Sequence, residues 1–371
     1  MKKYDVIIVG AGFAGITCAK VLADHGFSVL VLERRKDIGK GLHTTGILVD
    51  EAHRILPLPS ALSKPIRQVR LYSSSMRHIE VKSGHYVFYA TDTPELMRYL
   101  VQEASTHGVE FLFGTPFLEG KDDGGRITVN NGLASARLLI GADGAKSAVA
   151  QAFNLGRNHS FLLGVEAEYS GVTMENPDAF YCFINQRLAK GYIGWAIPGP
   201  KVMQIGLATC LSERPDIEQF YRYILPVLRP EKPEIVERRG GLIPVGGLVR
   251  PFYHDRVILV GDAAGIVSPL TAGGIHTALY YGQRLGNLLA AYFRGEGDHP
   301  GKILAAEYPR FRAKLLLRKA FNHIPNWGFN ALVASPVSQP LADAIFFLKK
   351  RLPKQRHKTP ERVWKRFRNG T

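Results

Sequence analysis

Cysteine is scarce in this 371-residue chain. Cys18, Cys182 and Cys210 are the only three, and they lie too far apart to make a CxxC pair. That argues against a disulfide framework, a zinc ribbon and a cysteine-held iron–sulfur cluster. No metal site is expected, and the thiols are expected to be reduced, as in a cytoplasmic protein. Long hydrophobic runs are also missing. A spanning helix needs about 20 apolar residues. The nearest stretch, 320–342, is interrupted by Pro325, Pro336 and Pro340 and by several Asn, Gln and Ser. It reads as a segment lying on or in something apolar, not crossing it. The opening Met1-Lys2-Lys3 runs at once into Tyr4-Asp5-Val6-Ile7-Ile8-Val9, too short for the apolar core of a signal peptide and better read as a strand. With 46% apolar and 22% charged residues, the composition excludes a disordered, collagen-like or coiled-coil chain. At roughly 100–200 residues per domain, the length suggests about two domains.

Acidic residues are nearly absent from the last fifth of the chain. Residues 301–371 hold 16 Lys/Arg against 3 Asp/Glu, so they carry +13 of the total +16. The body is close to neutral and the C-terminal segment is basic, which points to an anionic partner surface. Its basic residues alternate with Leu315-Leu316-Leu317, Phe346-Phe347-Leu348, Trp364 and Phe367, a pattern that suits an anionic membrane. The alternative is a solvated tail at 349–371. No nucleic-acid module is recognisable, and no nucleic-acid partner is expected.

The strand at 4–9 is followed by Gly10-Ala11-Gly12-Phe13-Ala14-Gly15, then by a helical stretch at 16–25, then by the apolar run Ser28-Val29-Leu30-Val31-Leu32 ending in Glu33. This is a complete βαβ dinucleotide fingerprint. Gly10 serves the tight turn, Gly12 the approach of a pyrophosphate, and Gly15 the close packing of helix on strand. The helix N-terminus faces the phosphates, and Glu33 is placed for a ribose hydroxyl. FAD and NAD both fit. Arg34-Arg35-Lys36 reads as solvated surface or as support for the pyrophosphate. The stretch from Gly39 through His43, Thr44 and Thr45 to Gly46 reads as a loop able to wrap a cofactor.

Further on, residues 66–90 alternate as an antiparallel excursion. Thr93 is expected to cap a helix with Pro94 in its first turn, Leu96, Leu100 and Ala104 on one face and Arg98 elsewhere. Leu138-Leu139-Ile140 runs into a Gly141-Ala142-Asp143-Gly144 turn and a helix. Residues 157–210 alternate with aromatics, among them Phe183, Tyr192 and Trp195, as a sheet with one face toward a core or ligand. Val257-Ile258-Leu259-Val260 leads into Gly261-Asp262, where the acid is placed to accept from a sugar hydroxyl. Gly273-Gly274-Ile275 then opens a helix whose first amides, at Gly274 and Ile275, favour negative charge.

Together these segments resemble the FAD-dependent geranylgeranyl reductase family, within the p-hydroxybenzoate-hydroxylase-like flavoproteins. The match rests on the N-terminal fingerprint through Glu33, on Ile140-Gly141-Ala142-Asp143-Gly144 with Ser147 and Val149, and on Leu163-Gly164-Val165-Glu166-Ala167-Glu168. It continues through Gly191–Pro198 (GYIGWAIP), similar to a YxWxFP motif. Most specific is 259–278, LVGDAAGIVSPLTAGGIHTA. Coverage is about 4–294. The resemblance implies an α/β fold: a Rossmann-like FAD-binding domain from 1–50, 92–155 and 250–300, a β-rich substrate domain from 51–91 and 156–249, and a C-terminal helical, basic segment at 301–371 facing a membrane. It also implies FAD as cofactor. Ala14 and Glu33, with Gly10, Gly12, Phe13 and Gly15, would hold pyrophosphate and adenosine ribose. Arg98 would serve the phosphate region, and His43, Thr44 and Gly46 the flavin; Arg34, from the basic stretch, is a further candidate for the cofactor. Asp262 would bind ribitol or pyrophosphate, and Gly274 and Ile275 would donate to the flavin N1/O2 edge.

The sequence departs from the family in two places. A cysteine usual in the loop is replaced by His43-Thr44-Thr45-Gly46, and the motif tyrosine falls on Ile193, with Tyr192 one place away. Trp195 stays in register. The implied activity is hydride transfer from reduced flavin to C=C bonds of a prenyl lipid, with Trp195, Tyr192 and His43 as candidate catalytic residues. Trp195, Tyr192 and Phe183 are expected to line the chain's tunnel. The donor is left open among NAD(P)H, ferredoxin and similar carriers. The alternative is a flavin monooxygenase or halogenase on an apolar or aromatic substrate, because Trp195-Ala196-Ile197-Pro198 fits half of a WxWxIP motif. The expected location is cytoplasmic, with peripheral contact at the inner face of the membrane.

Overall fold

The computed structural model describes residues 1–346. Phe347, Leu348, Trp364, Phe367 and the 349–371 tail lie outside the described residues. The first sheet is built on five parallel strands in the order Val257–Leu259, Ala134–Gly141, Lys2–Val9, Val29–Glu33 and Glu110–Phe113. Tyr253–His254 pairs antiparallel at one edge, and Gly120–Asp122 with Ile127–Val129 forms a side hairpin. Every residue of Val29–Glu33 is buried. A parallel sheet covered on both faces requires that near-continuous apolar run, and each leucine buried there contributes about 1.5–3 kcal/mol. Helices Phe13–Asp24, Thr93–Thr106 and Ile275–Phe293 pack together on this lobe. Asp92, not Thr93, caps the helix Thr93–Thr106, its carboxylate accepting from the Glu95 amide at 3.3 Å. The Thr93 hydroxyl turns instead to Thr91 and to the Thr45 carbonyl.

The second sheet has seven strands in the order Leu228–Pro244, Phe161–Met174, Met203–Cys210, Gly194–Pro198, Ala179–Phe183, Gln68–Tyr72 and His78–Lys82. All its pairings are antiparallel except that of Ala179–Phe183 with Gln68–Tyr72. One face packs under the helix Ile217–Ile224 through Tyr181, Phe183 and Phe220. The other face, with Cys182, Trp195 and Ile197, turns toward a small sheet of Ile47–Val49, Phe88–Thr91 and Ser63–Ile66.

The C-terminal segment is folded onto the body as far as residue 346. Helix Pro300–Glu307 packs on Ile275–Phe293, with the Arg284–Glu307 ion pair at 2.6 Å. Helix Arg312–His323 crosses between the lobes. Its one buried residue, Arg318, donates to the Pro269 carbonyl at 3.0 Å and to the Gly191 carbonyl at 2.9 Å. Asn326–Ala334 and Ser338–Phe346 follow on the second sheet, where Asn330 accepts from Ser74 and Gln339 donates to the Glu80 carbonyl. The stretch expected to rest on something apolar thus buries Phe329, Val333 and Ala342 inside the protein. Leu316, Leu317 and Trp327 stay exposed at 68%, 55% and 75%. No described helix is long and apolar enough to cross a membrane.

Arg318 has no carboxylate partner among the described residues, so its role is to satisfy two carbonyls at the lobe junction. Arg318→Met leaves both unpaired and is expected to lower stability by about 1–3 kcal/mol. Urea unfolding checks this, and Arg318→Lys should recover part of the loss. An unchanged midpoint for the methionine variant would remove the tie.

Candidate active site

The fingerprint closes by backbone contact. Gly10 has φ +100°, and its amide donates to the Leu32 carbonyl at 2.8 Å. A methyl group on Gly15 would lie 2.0 Å from the Gly10 carbonyl oxygen, and one on Gly10 would lie 2.4 Å from that of Ala142. Nothing larger than hydrogen fits at either position. Gly12 is the opposite case, since a Cβ there would meet nothing within 4 Å. The helix that starts at Phe13 has no side-chain cap, so its first amides face that open space with Ala14 beside them.

Glu33 is buried beneath this turn. One carboxylate oxygen accepts from the Ala11 amide at 2.9 Å, and the other from the Arg35 amide and Nε, each at 2.9 Å. The Arg35 guanidinium and these amides hold its pKa below the usual carboxylate range despite the opposing effect of burial. Arg34 points the other way and donates to His43 Nε2 at 3.3 Å, while His43 Nδ1 meets the Gly240 carbonyl at 2.6 Å. A carbonyl only accepts and a guanidinium only donates, so the neutral tautomer protonated at Nδ1 satisfies both. His43 therefore joins its loop to the Leu228–Pro244 strand. Gly46 has φ +74°, and a side chain there would strike Thr93 Oγ1 at 1.8 Å. Its carbonyl accepts from Thr91, and its amide meets Thr44 Oγ1 at 3.3 Å. Arg98 grips the same stretch of chain, with Nη2 2.9 Å from Asp37 and Nη1 2.6 Å from Glu95.

A second helix start converges on the first. A Cβ on Gly261 would lie 3.0 Å from Ala14 Cβ, and one on Gly274 would lie 3.3 Å from Asp262 Oδ1. Gly274 begins the helix Ile275–Phe293 without a side-chain cap. The Asp262 carboxylate makes no hydrogen bond to any described residue, and burial pushes its pKa up to about 6. Asp143, on the facing turn, accepts from the Val149 amide through Oδ2 and leaves Oδ1 buried without a partner among the described residues. The loop between Asp262 and Gly274 is clamped from outside. Lys314 reaches Ser268 at 3.4 Å, Arg318 holds Pro269, and the Tyr192 hydroxyl donates to the Thr271 carbonyl at 2.5 Å.

On the second sheet, Trp195, Gly206, Glu166 and Arg239 stand in one row across four strands. The Trp195 indole donates to Glu166 at 2.6 Å, and Arg239 meets Glu166 and Glu168 at 2.6 Å each. Trp195, Glu166, Glu168 and Arg239 are all buried, and Arg239 Nη1 has no partner among the described residues. Burial raises the pKa of Glu168. Gly241, two residues beyond Arg239, packs against the His43 ring, so His43 covers the face that bears Trp195. Tyr192 precedes the strand Gly194–Pro198, and alternation does not separate it from Ile193: both pack into the cluster that holds Trp195. Phe183 is the correction. It pairs with Gly194 while Cys182 pairs with Trp195, so Phe183 lies on the opposite face in the core with Phe220 and cannot share a tunnel wall with Trp195. Sequence reasoning missed Arg239, Lys314, Arg318 and Asn158, whose side-chain amide donates to the Ala145 and Asp262 carbonyls at 3.1 and 2.9 Å. The only available signal was Glu166 and Glu168, two acids at strand spacing in an apolar run.

These residues fit a dinucleotide with a long polyol linker. Open space lies at Gly12, close backbone contact surrounds it, two uncapped helix starts face it, and the half-buried Asp262 carboxylate has no donor among the described residues. The site and the parallel sheet define a dinucleotide-binding class of protein. The chain matches the FAD binding domain family over residues 3–234 and 244–312 and belongs to it. It is an FAD-dependent oxidoreductase. It is 29% identical over 332 residues to digeranylgeranylglycerophospholipid reductase 2 of Methanothermobacter thermautotrophicus, covering 84% of each chain. Its fold is similar to a geranylgeranyl bacteriochlorophyll reductase-like protein of Thermoplasma acidophilum, with TM-score 0.79, 20% identity and 94% and 97% of the two chains covered. It is also similar to the flavin-dependent brominase Bmp2, with TM-score 0.70, 18% identity and 93% and 92% covered.

Two substitutions test the buried charges. The folded pKa of Asp262 is raised, so the native state binds the extra proton, and the penalty grows as pH rises through about 4–6. In the apoprotein, Asp262→Asn is expected to raise stability by about 1–3 kcal/mol at pH 8, with the gain vanishing below about pH 4, while FAD binding weakens. A loss of apoprotein stability at pH 8 would contradict a partnerless carboxylate. Arg239→Met leaves Glu166 and Glu168 without their cation, for an expected loss of about 3–5 kcal/mol. Protonation relieves that loss, so the deficit should be smaller at pH 5 than at pH 8. Unfolding curves with equal deficits at both pH values would rule out the unpaired-carboxylate account.

Proposed function

We propose that this oxidoreductase reduces carbon–carbon double bonds in the prenyl chains of a geranylgeranyl-type lipid. The observation that carries the reading is the likeness, over 84% of both chains, to the reductase of Methanothermobacter thermautotrophicus. Bound FAD in its reduced state supplies the hydride. In this proposal Gly10, Gly12, Phe13, Ala14 and Gly15 receive the pyrophosphate on the open side of Gly12. Glu33, fixed by Ala11 and Arg35, turns a remaining lone pair to the adenosine ribose. Asp262 accepts from a polyol hydroxyl, which gives its half-buried carboxylate the donor it lacks among the described residues. The amides at Gly274 and Ile275 offset negative charge at the flavin edge. Arg98, through Asp37, and Arg34, through His43, hold the loop that carries Thr44 and Gly46 against the cofactor.

The substrate side is the sheet face bearing Trp195, with Tyr192 and His43 at its margins. An alkene offers no carbonyl to polarise, so positioning supplies most of the effect. Trp195 is suited to this, because Glu166 fixes its ring plane. Tyr192 couples that face to the loop at Thr271. His43 holds its Nδ1 proton on Gly240 and acts by positioning. The exposed Leu316, Leu317 and Trp327 beside a basic segment support a membrane surface, at the cytoplasmic side, as the place where lipid is met. NAD(P)H, ferredoxin or a similar carrier would reduce the flavin.

The test is to reduce the purified flavoprotein without oxygen, mix it with geranylgeranyl lipids, and follow flavin reoxidation together with product mass. Reoxidation with two hydrogens gained per double bond is the expected result. Reoxidation only after oxygen is admitted, with an oxygenated or halogenated product, would overturn it. That outcome would favour the monooxygenase or halogenase reading, which the segment Trp195-Ala196-Ile197-Pro198 supports.

A further inference from the structure

We propose that Arg250, Arg310 and Arg312 form a phosphate-binding site for the anionic head of a phosphorylated prenyl substrate. The inference deepens the prenyl-lipid reading above and rests on it. The three arginines line a cavity of about 370 Å³ between the segment after the second sheet and the first turn of the helix Arg312–His323. No carboxylate lines the cavity, and none of the three is ion-paired with a described residue. Some surface arginines are paired with acids, as Arg54 is with Asp50, Arg98 with Asp37, and Arg238 with Glu218; what sets these three apart is that they share one cavity. Three unpaired guanidinium groups around one concavity focus positive potential, and their planar forks match phosphate oxygens.

The backbone adds donors. The amides of Gly246, Gly247 and Leu248 give no hydrogen bond to a described acceptor, whereas those of Val245 and Val249 on either side are bonded to Ser160 and Ala264. Gly247 has φ +82°. Successive free amides in such a turn make an anion-binding concavity. The remaining wall is apolar, formed by Leu248 and Leu315, and Leu316 and Leu317 continue outward into solvent. The ligand this describes is anionic at one end and hydrocarbon at the other. The volume is near the lower end for ligand pockets, enough for a head group and not for a twenty-carbon chain. The site also abuts the cofactor turn. A Cβ on Gly265 would lie 2.3 Å from the Gly247 carbonyl oxygen, and Lys314, next to Leu315, reaches Ser268.

The experiment measures binding to the oxidised holoprotein by calorimetry, with no turnover required. Geranylgeranyl diphosphate, geranylgeraniol and inorganic pyrophosphate are compared for the wild type and for Arg310→Gln/Arg312→Gln and Arg250→Gln. The diphosphate lipid is expected to bind about 10–100-fold more tightly than the alcohol, with the preference shrinking as salt rises. The variants should lose most of that preference while keeping their FAD content and their affinity for the alcohol. Equal binding of lipid and alcohol by the wild type, or an unchanged preference in the variants, would overturn the proposal. Pyrophosphate binding as tightly as the lipid would reassign the cavity to free phosphate. A variant that loses sedimentation with phosphatidic-acid vesicles but keeps the diphosphate preference would place these arginines at the membrane surface instead. Diphosphate-dependent binding without alkene reduction would count against the proposed reaction and leave this site standing.

Discussion

The first strand can hand over to the first helix only because nothing but backbone lies between them. Gly15 sits so close to Gly10 that a methyl group would overlap a carbonyl oxygen. That contact fixes where the helix begins, and the later parts of the flavin lobe are placed against it. Ala14 becomes the surface on which Gly261 rests. Gly282, well inside the helix Ile275–Phe293, packs so near the Ala14 carbonyl that a Cβ would lie 2.6 Å away. Two helices separated by 250 residues of chain therefore start toward the same space, with their free amides and partial positive charge directed there. The site is a consequence of packing before it is a matter of ligand chemistry.

Three desolvated charges at and beside this site are treated in three different ways. Arg318 is held by two carbonyls and ties the lobes together. Arg239 is held by two carboxylates, one of which orients Trp195. Asp262 has no hydrogen-bond donor for its carboxylate among the described residues, and desolvation raises its pKa. A buried charge with partners is part of the scaffold, because its desolvation is offset within the fold. A buried carboxylate without partners is unfavourable in the fold alone, and a ligand that brings hydroxyl donors removes the penalty. On that distinction Asp262 is the residue proposed to serve the cofactor and Arg318 belongs to the architecture, although Asp262 opens the loop that Arg318 holds at Pro269.

What was readable from the amino-acid order follows from whether the signal is local. The βαβ fingerprint, the helix from Ile275 and the Asp262 turn depend on neighbours a few residues apart, and spacing alone reveals them. The cap of the helix Thr93–Thr106 was misplaced by one residue, because Asp92 and Thr93 are both good caps and only the tertiary contacts of Thr93 with Thr91 and Thr45 decide between them. Phe183 and Trp195 looked alike as aromatics in an alternating sheet. Which face each occupies depends on strand register, and a shift of one residue reverses the face. The Trp195–Glu166–Arg239 row could not be read at all, since it joins strands 29 and 73 residues apart through pairing that no local pattern encodes.

The C-terminal helices illustrate the same point through charge. Net charge suggested a basic appendage, yet the helix Arg312–His323 uses its cations for different ends on different sides. Arg318 points inward to carbonyls, Lys314 reaches the cofactor loop, and Arg312 joins Arg310 and Arg250 at an open cavity. A charge total cannot separate these roles. Separation comes from where each side chain finds, or fails to find, an acceptor. The arginines without one surround a concavity whose other wall is leucine, so this helix offers an anionic group a place to bind and its hydrocarbon a surface to lie on. A lipid head and the adjoining part of its chain need both at once.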